Sequence, residues 1–258
     1  MTADVLVPTS ADEAAALFGD GEGVTVFGGG TILLPEITAG RLTPTRALML
    51  HRTGLDRITV AGDRVTIGAA TPVSSLVDLP DGSLAEFAAQ LADLEIRAAA
   101  TIGGNLCAPA GRESQRGDLG APLIALGARV RSSGRGGDRN EPVEDFLFAS
   151  DREARLVLEI EYDRIPRRSG TSGMRRRHAH SYLVAAVAAA ERENGELRVA
   201  VAGAGATAVR CRAVEASRDP QSVLEDVEPV DDAVASAEYR RTVLPVLVRQ
   251  ALERLELS

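Results

Sequence analysis

Residues 98–106 read AAATIGGNL, and this stretch organises the prediction of the fold. Gly103 and Gly104, placed after a Thr-Ile pair, allow a backbone with positive φ. They also let consecutive peptide N–H groups approach a bound group with no Cβ in the way. The stretch therefore predicts a turn that suits an anion.

A second glycine turn, FGGGT at residues 27–31, lies upstream. It follows the apolar run 24–27 and precedes the apolar run 32–34, which places it at the end of a strand. Each turn taken singly has a packing explanation, which for residues 28–30 is as good as the functional one, because glycine serves tight turns everywhere. Taken together, the two turns predict a site that grips the two halves of a diphosphate.

The composition is that of a globular protein with one large or two small domains. The chain has 258 residues, of which 45% are hydrophobic, so it can bury a sizeable core. Its longest apolar run, residues 182–190, is far shorter than the roughly 20 residues that span a bilayer. The N-terminus lacks a basic start followed by an apolar stretch. We expect no membrane span and a cytoplasmic location.

The acidic charge balance limits the possible partners. The chain carries 29 Lys+Arg against 37 Asp+Glu, a net charge of −8, with 3% aromatic residues and no Trp. Nucleic-acid binding needs a basic face and stacking platforms, so this composition argues against it. An acidic surface also repels a dianionic cofactor at long range. Local backbone donors must therefore hold a diphosphate.

Two cysteines, Cys107 and Cys211, are present. This number excludes a disulfide framework and a four-cysteine iron–sulfur cluster built by this chain alone. Any such cluster must come from a partner chain.

The first half of the chain alternates strands and helices. Ser-x-x-Glu patterns predict helices that begin near Ser10 and near Ser83, the second running to about Leu94. Strands are predicted at residues 24–27 and 47–50 and, as a hairpin, at 58–60 and 65–67. Residues 107–117 are predicted to form an irregular loop, residues 118–130 an apolar stretch, and residues 132–140 a flexible turn.

The second half begins with a predicted strand at residues 156–162. The polar residues 167–173 are the best candidate for a domain boundary. Asn194-Gly195 predicts a hairpin between residues 182–191 and 197–202, although the first of these is rich in alanine. Helices are predicted at 221–226 and 237–255, the latter kinked or broken at Pro245.

Both glycine turns resemble the signatures of the FAD-binding subunit of molybdenum hydroxylases, the family of xanthine dehydrogenase and aerobic carbon monoxide dehydrogenase. The resemblance covers nearly the whole chain, and Thr-Ile-Gly-Gly-Asn at residues 101–105 is its most specific motif. It implies that the FAD diphosphate and its surroundings are contacted by Phe27, Gly28, Gly29, Gly30, Thr31, Ile32, Leu33, Ala100, Thr101, Gly103, Gly104 and Asn105. It further implies that Asp118 contacts the adenosine ribose, Leu158 the isoalloxazine, and Arg175 or Arg176 the flavin edge.

This chain departs from the family pattern at three places. Ile32 replaces an acidic or polar residue, and Arg97-Ala98 replaces an Arg-Asn pair. The loop at residues 107–117 is longer and more charged than usual.

Other motifs are better explained by structure than by chemistry. Residues 203–208, GAGATA, fit a dinucleotide fingerprint, but no helix and parallel strand follow, so we expect a turn at a hairpin end. His178 and His180 lack a third metal ligand. Cys107 follows the glycine motif and is either near the flavin or a small buried residue. No Gly-x-Ser-x-Gly elbow supports a hydrolase, and we expect no catalytic acid–base residue and no metal site.

We therefore predict an α+β protein with the PCMH-type FAD-binding fold. Two α/β subdomains in residues 1–166 precede a C-terminal domain, residues 167–258, of antiparallel sheet and helices. The resemblance implies an FAD electron-transfer subunit working with a molybdopterin-binding large subunit and a [2Fe–2S] small subunit in a heterotrimer, and passing electrons to an external acceptor. The alternatives are a stand-alone FAD oxidoreductase and a flavin-free scaffold of the same fold.

Overall fold

The computed structural model describes residues 4–80, 82–108, 118–164, 167–175 and 183–257. Its strands are β1 (Asp4–Leu6), β2 (Val24–Phe27), β3 (Arg46–Met49), β4 (Ile58–Ala61), β5 (Arg64–Gly68), β6 (Arg129–Gly134), β7 (Arg139–Pro142), β8 (Arg155–Asp163), β9 (Arg167–Arg175), β10 (Leu183–Arg192), β11 (Leu197–Ala202) and β12 (Val209–Arg210). Its helices are α1 (Ala11–Phe18), α2 (Leu33–Thr38), α3 (Gly82–Gln90), α4 (Leu94–Ala99), α5 (Ile102–Leu106), α6 (Gly120–Leu126), α7 (Val143–Phe148), α8 (Arg212–Ser217), α9 (Val223–Asp226) and α10 (Ala237–Leu257). Short 3-10 segments lie at Val73–Leu76, Arg152–Ala154 and Pro220–Ser222.

The described strands form a parallel sheet and two antiparallel sheets. The parallel sheet has the order β1-β3-β2, and the N-terminal antiparallel sheet has the order β4-β5-β8-β6-β7. The C-terminal antiparallel sheet, β12-β11-β10-β9, packs against α10 and α6. The predicted α+β class with a C-terminal antiparallel sheet and helices is confirmed.

Helix α1 begins where the sequence predicts. Ser10 is its N-cap, and the Ser10 Oγ accepts a hydrogen bond of 3.1 Å from the Glu13 amide. The Glu13 carboxylate, however, accepts from the Thr9 amide and hydroxyl rather than from Ser10. The Glu13 carboxylate therefore bonds to the residue before the N-cap instead of to the N-cap itself, as it would in a standard capping box.

The alanine-rich β10 is a strand because both of its faces are buried. Ala186, Ala188 and Ala190 pack into the core shared with the N-terminal sheet, whereas Ala185, Val187 and Ala189 pack into the core under α10. Alternation along a strand sends successive side chains to opposite faces. Small residues on both faces of β10 allow both of these cores to pack closely against the strand. The predicted hairpin between β10 and β11 is confirmed.

Two predicted elements were wrong in their extent, and the residues predicted to hold a domain boundary form a strand. The helix predicted from Ser83 to about Leu94 is split into α3 and α4, because Asp93 caps a new helix by accepting from the Ile96 amide at 2.8 Å. Residues 132–140 are partly strand, since β6 continues to Gly134 and β7 begins at Arg139. The polar residues 167–173 belong to β9, which pairs along β10.

Two structural predictions near the C-terminus have clear outcomes. Residues 203–208 turn the chain between antiparallel strands β11 and β12, so the dinucleotide fingerprint is accidental, as predicted. Pro245 lies inside α10 without ending it.

The His178–His180 pair, Arg176 and residues 109–117 fall outside the described residues.

Candidate cofactor site

The first glycine turn leaves a run of amides without acceptors. Strand β2 ends at Phe27, and residues 28–30 carry the chain into α2. Gly30 has φ +71°, the left-handed region that favours glycine, and its carbonyl oxygen accepts from the Leu34 amide at 2.9 Å. The amides of residues 28–32 donate to no acceptor among the described residues. Such a run of N–H groups suits an anion.

The second glycine turn is different, because its amides are already used. Thr101 is the N-cap of α5, and its Oγ1 accepts from the Gly104 amide at 3.1 Å. The other amides of this turn donate from Ile102 to Thr71 O (3.0 Å), from Gly103 to Ala69 O (2.9 Å) and from Asn105 to Thr101 O (2.8 Å). The expectation that residues 102–105 also offer bare amides was therefore wrong. The bonds from Ile102 and Gly103 fix the turn to residues 69–71, which directly follow β5.

The two turns lie directly against each other. A Cβ built on Gly28 would be 2.5 Å from the Thr101 Oγ1, and one built on Gly29 would be 1.8 Å from the Ala99 carbonyl oxygen. Real Cβ atoms do not approach other atoms so closely. Glycine is thus required at both positions by the contact between the turns, and the turns meet in space as predicted.

A cavity of about 500 Å³ opens beside the two turns. This volume is typical of cofactor and ligand sites. Most of the predicted site residues line it: Gly28, Gly29, Gly30, Thr31, Ile32, Leu33, Ala100, Thr101, Gly104, Asn105, Asp118 and Arg175. The structure thereby brings together the turn after β2, the start of α2, the residues that enter and form α5, the segment just before α6 and the end of β9.

Three predicted residues do not line this cavity. Phe27 is buried at the end of β2, and Gly103 is packed against Ala69, where an added Cβ would lie 2.8 Å from the alanine Cβ. Leu158 belongs to the apolar core between α1 and the parallel sheet.

The cavity also has a wall that the sequence did not reveal. Its additional lining residues are Val26, Leu91, Ala92, Asp93, Ile96, Cys107, Ala108 and Leu183. The break between α3 and α4 creates this wall at residues 91–93. Asp93, a residue type that favours N-caps, was the one available signal of the break.

Arg175 brings a half-buried positive charge to the cavity. Its Nε is buried and has no hydrogen-bond acceptor among the described residues. Burial lowers the pKa of Arg175, the nearby Asp118 carboxylate raises it, and the Arg97 charge lowers it. A buried guanidinium nitrogen without an acceptor is costly, so this atom is suited to a ligand oxygen or nitrogen.

Cys107 lines the cavity beyond the second turn. Desolvation raises the pKa of its thiol to about 11, partly offset by the Arg152 charge. The thiol is therefore neutral at pH 7. It offers a small, soft surface rather than a thiolate nucleophile.

Comparison with known families identifies the group to which the chain belongs. Residues 1–166 match the family described as the FAD binding domain in molybdopterin dehydrogenase. The chain belongs to this FAD-binding family. The predicted resemblance and the FAD cofactor are confirmed, and the chain is a flavoprotein of an oxidoreductase family.

Individual relatives match this flavoprotein along almost its whole length. It is 27% identical to the 6-hydroxypseudooxynicotine dehydrogenase complex subunit alpha of Paenarthrobacter nicotinovorans, over 97% of this chain and 93% of the relative. It is 26% identical to the carbon monoxide dehydrogenase medium chain of Hydrogenophaga pseudoflava, over 95% and 94% of the two chains. A solved structure of carbon monoxide dehydrogenase from Hydrogenophaga pseudoflava has a chain with a TM-score of 0.85 and 25% identity, covering 100% of this flavoprotein and 98% of that chain.

The residues of the cavity fit an FAD cofactor. The unpaired amides of residues 28–32 match a diphosphate. Arg175 offers an unpaired buried donor, and the apolar wall suits aromatic rings. No helix in the described part of the chain is long and apolar enough to cross a membrane.

Proposed function

We propose that this chain is the FAD-carrying electron-transfer subunit of a molybdenum-containing dehydrogenase, which takes electrons from iron–sulfur clusters of a partner chain and passes them to an external acceptor. The observation that supports it most is the run of unpaired amides at residues 28–32 beside the cavity. A protein with a net charge of −8 needs such local donors to hold a diphosphate.

Each part of the cavity has a task in this proposal. The amides of residues 28–32 would hold the diphosphate, and the Asp118 carboxylate would accept hydrogen bonds from ribose hydroxyls. Arg175 would donate from its buried Nε to the flavin ring system. Leu91 and Leu183 would exclude water from the rings. Hydrogen bonds from a fixed, dry site orient a cofactor and tune its electronics.

FAD exchanges either one or two electrons, which lets it connect single-electron carriers with a two-electron acceptor. None of the described residues of the cavity is arranged as a nucleophile with a base. Cys107 is neutral, and the Thr101 hydroxyl is engaged as an N-cap. The contribution of this chain is therefore binding, orientation and electrostatics.

The partners follow from what this chain lacks. Its two cysteines are too few for a four-cysteine cluster, so the clusters belong to another chain. A relative is named as a complex subunit and another as a medium chain, which supports an assembly of several chains. We propose a heterotrimer with a [2Fe–2S] small subunit and a molybdopterin-binding large subunit.

The decisive experiment is purification of the tagged chain from its native host, followed by metal and flavin analysis. We expect one FAD per chain and co-purifying chains that contain iron and molybdenum. Substrate of the large subunit should bleach the flavin absorbance of the complex but not that of the isolated chain. A yellow chain that purifies alone and is bleached directly by a small substrate would instead support a stand-alone oxidoreductase, and a colourless complex would support a scaffold.

A further inference from the structure

The connection between α3 and α4 forms part of the cavity wall in a strained conformation. Leu91, Ala92 and Asp93 all line the cavity. Ala92 has φ +46°, a region that residues with a Cβ adopt only at an energetic cost. Such a conformation persists only when neighbouring groups hold it.

Arg97 supplies the groups that hold this connection. Its Nη1 donates to the Leu91 carbonyl oxygen at 2.8 Å and to the Ala92 carbonyl oxygen at 3.0 Å. Hydrogen bonds from a charged donor are the stronger kind. The Asp93 side chain caps α4 from the other side, so both flanks of Ala92 are fixed.

Arg97 is also connected to the glycine turns. It lies on α4, whose last residue, Ala99, contacts Gly29. The next residue, Ala100, lines the cavity. The positive charge of Arg97 is close enough to Arg175 to lower the pKa of that guanidinium. Arg97 does not line the cavity, yet it is bonded to the wall at residues 91 and 92 and lies near the Arg175 guanidinium.

We propose that Arg97 is a positioning residue of the FAD site: its guanidinium holds the wall at residues 91–93 in the shape that closes on the cofactor. The inference rests on the proposed use of this cavity for FAD. Arg97 would affect FAD binding indirectly, by holding Leu91 and Ala92 in place.

The test uses Arg97→Gln and Arg97→Lys in the full chain, with Arg64→Gln as the control. Arg64 is an exposed arginine that pairs with Glu161 and Asp163 on the N-terminal sheet. We expect Arg97→Gln to weaken FAD binding roughly tenfold, as loss of charged hydrogen bonds predicts, measured by flavin fluorescence titration. Arg97→Lys, which keeps donors and charge, should recover part of this loss, and Arg64→Gln should bind as the wild type does.

A second substitution separates wall positioning from general stability. Glycine adopts positive φ without strain, so Ala92→Gly should reduce the dependence of the wall on Arg97. In an Ala92→Gly background, Arg97→Gln should therefore cost less than about threefold in FAD affinity. Hydrogen exchange of the cofactor-free protein should accelerate at residues 91–93 in Arg97→Gln, with little change elsewhere.

The proposal is overturned if Arg97→Gln binds FAD like the wild type, or if exchange accelerates uniformly with no rescue by Arg97→Lys. Absence of FAD binding by the wild type and by Arg64→Gln alike would count against the proposed function instead. In that case unchanged exchange at residues 91–93 in Arg97→Gln would still refute the positioning role.

Discussion

Gly29 lies so close to Ala99 that a Cβ on the glycine would be 1.8 Å from the alanine carbonyl oxygen. This contact joins the turn after β2 to the end of α4, two segments that are far apart in sequence. Residues of both segments, Gly29 and Ala100 among them, line the cavity beside this contact. Small size at residue 29 is therefore a requirement of the site as a whole.

Substitution Gly29→Ala should abolish FAD binding and lower the free energy of unfolding by at least about 2 kcal/mol, because backbone must move to relieve the clash. Thermal melts and flavin titration measure the two effects. Gly205→Ala is the matched control, since a Cβ there meets nothing closer than 3.6 Å. Normal FAD affinity in Gly29→Ala would show that the contact between the turns is not needed.

Substitution Arg175→Met should have opposite effects on cofactor binding and on stability. Removing a buried guanidinium nitrogen that has no acceptor among the described residues should leave the FAD-free protein as stable or more stable. FAD affinity should fall about tenfold, because a charged hydrogen bond to the cofactor is lost. Urea unfolding of the FAD-free protein and flavin titration test this pair of results. Arg168→Met, at an exposed position of the same strand, should leave FAD affinity unchanged.

The Cys107 thiol should react slowly and be protected by FAD. Because burial raises its pKa to about 11, roughly one thiol in a thousand is ionised at pH 8. Iodoacetamide labelling followed by mass spectrometry should show a rate that rises steeply above pH 9 and falls when FAD is added. Cys211 is fully buried and should not react in the native protein. Fast labelling of Cys107 at pH 7, with or without FAD, would contradict this picture of the cavity.

Glu191 should make stability depend on pH in the acid range. Its buried carboxylate contacts Arg218 and Arg168, and the hydrogen bond from Arg218 is the main cause that holds its pKa below the ordinary 4.5. A lowered folded-state pKa stabilises the protein above the unfolded pKa, and this stabilisation is lost as pH falls through the folded value. Glu191→Gln should therefore cost about 1 kcal/mol at pH 7, since both arginines are half exposed.

The measurement for Glu191 is urea unfolding at several pH values. The difference between the wild type and Glu191→Gln should shrink progressively below pH 4.5. Glu193→Gln, at an exposed position near the same hairpin, should show no such trend. A difference that stays constant from pH 7 to pH 3 would mean that ionisation of Glu191 does not contribute.

Local sequence signals determined several turns and helix ends of this protein. Ser10 capping of α1, the hairpin turn at Asn194-Gly195 and the two glycine turns all depend on residues within a few positions of one another. Such short-range preferences are readable because few alternative conformations compete. The glycine turns also carried the resemblance that led to the FAD-binding family.

Only the tertiary structure decided how the site is built. The amides of Ile102 and Gly103 are used by the carbonyl oxygens of Thr71 and Ala69, which no local pattern reveals. The polar residues 167–173 became a strand because β10 offered them a ladder of hydrogen bonds. The cavity wall at residues 91–93 likewise depends on Arg97 reaching back to hold it. The sequence alone therefore predicted where the anion site lies. Long-range hydrogen bonds and packing override weak local preferences, so the folded contacts determined which amides remain available to the cofactor.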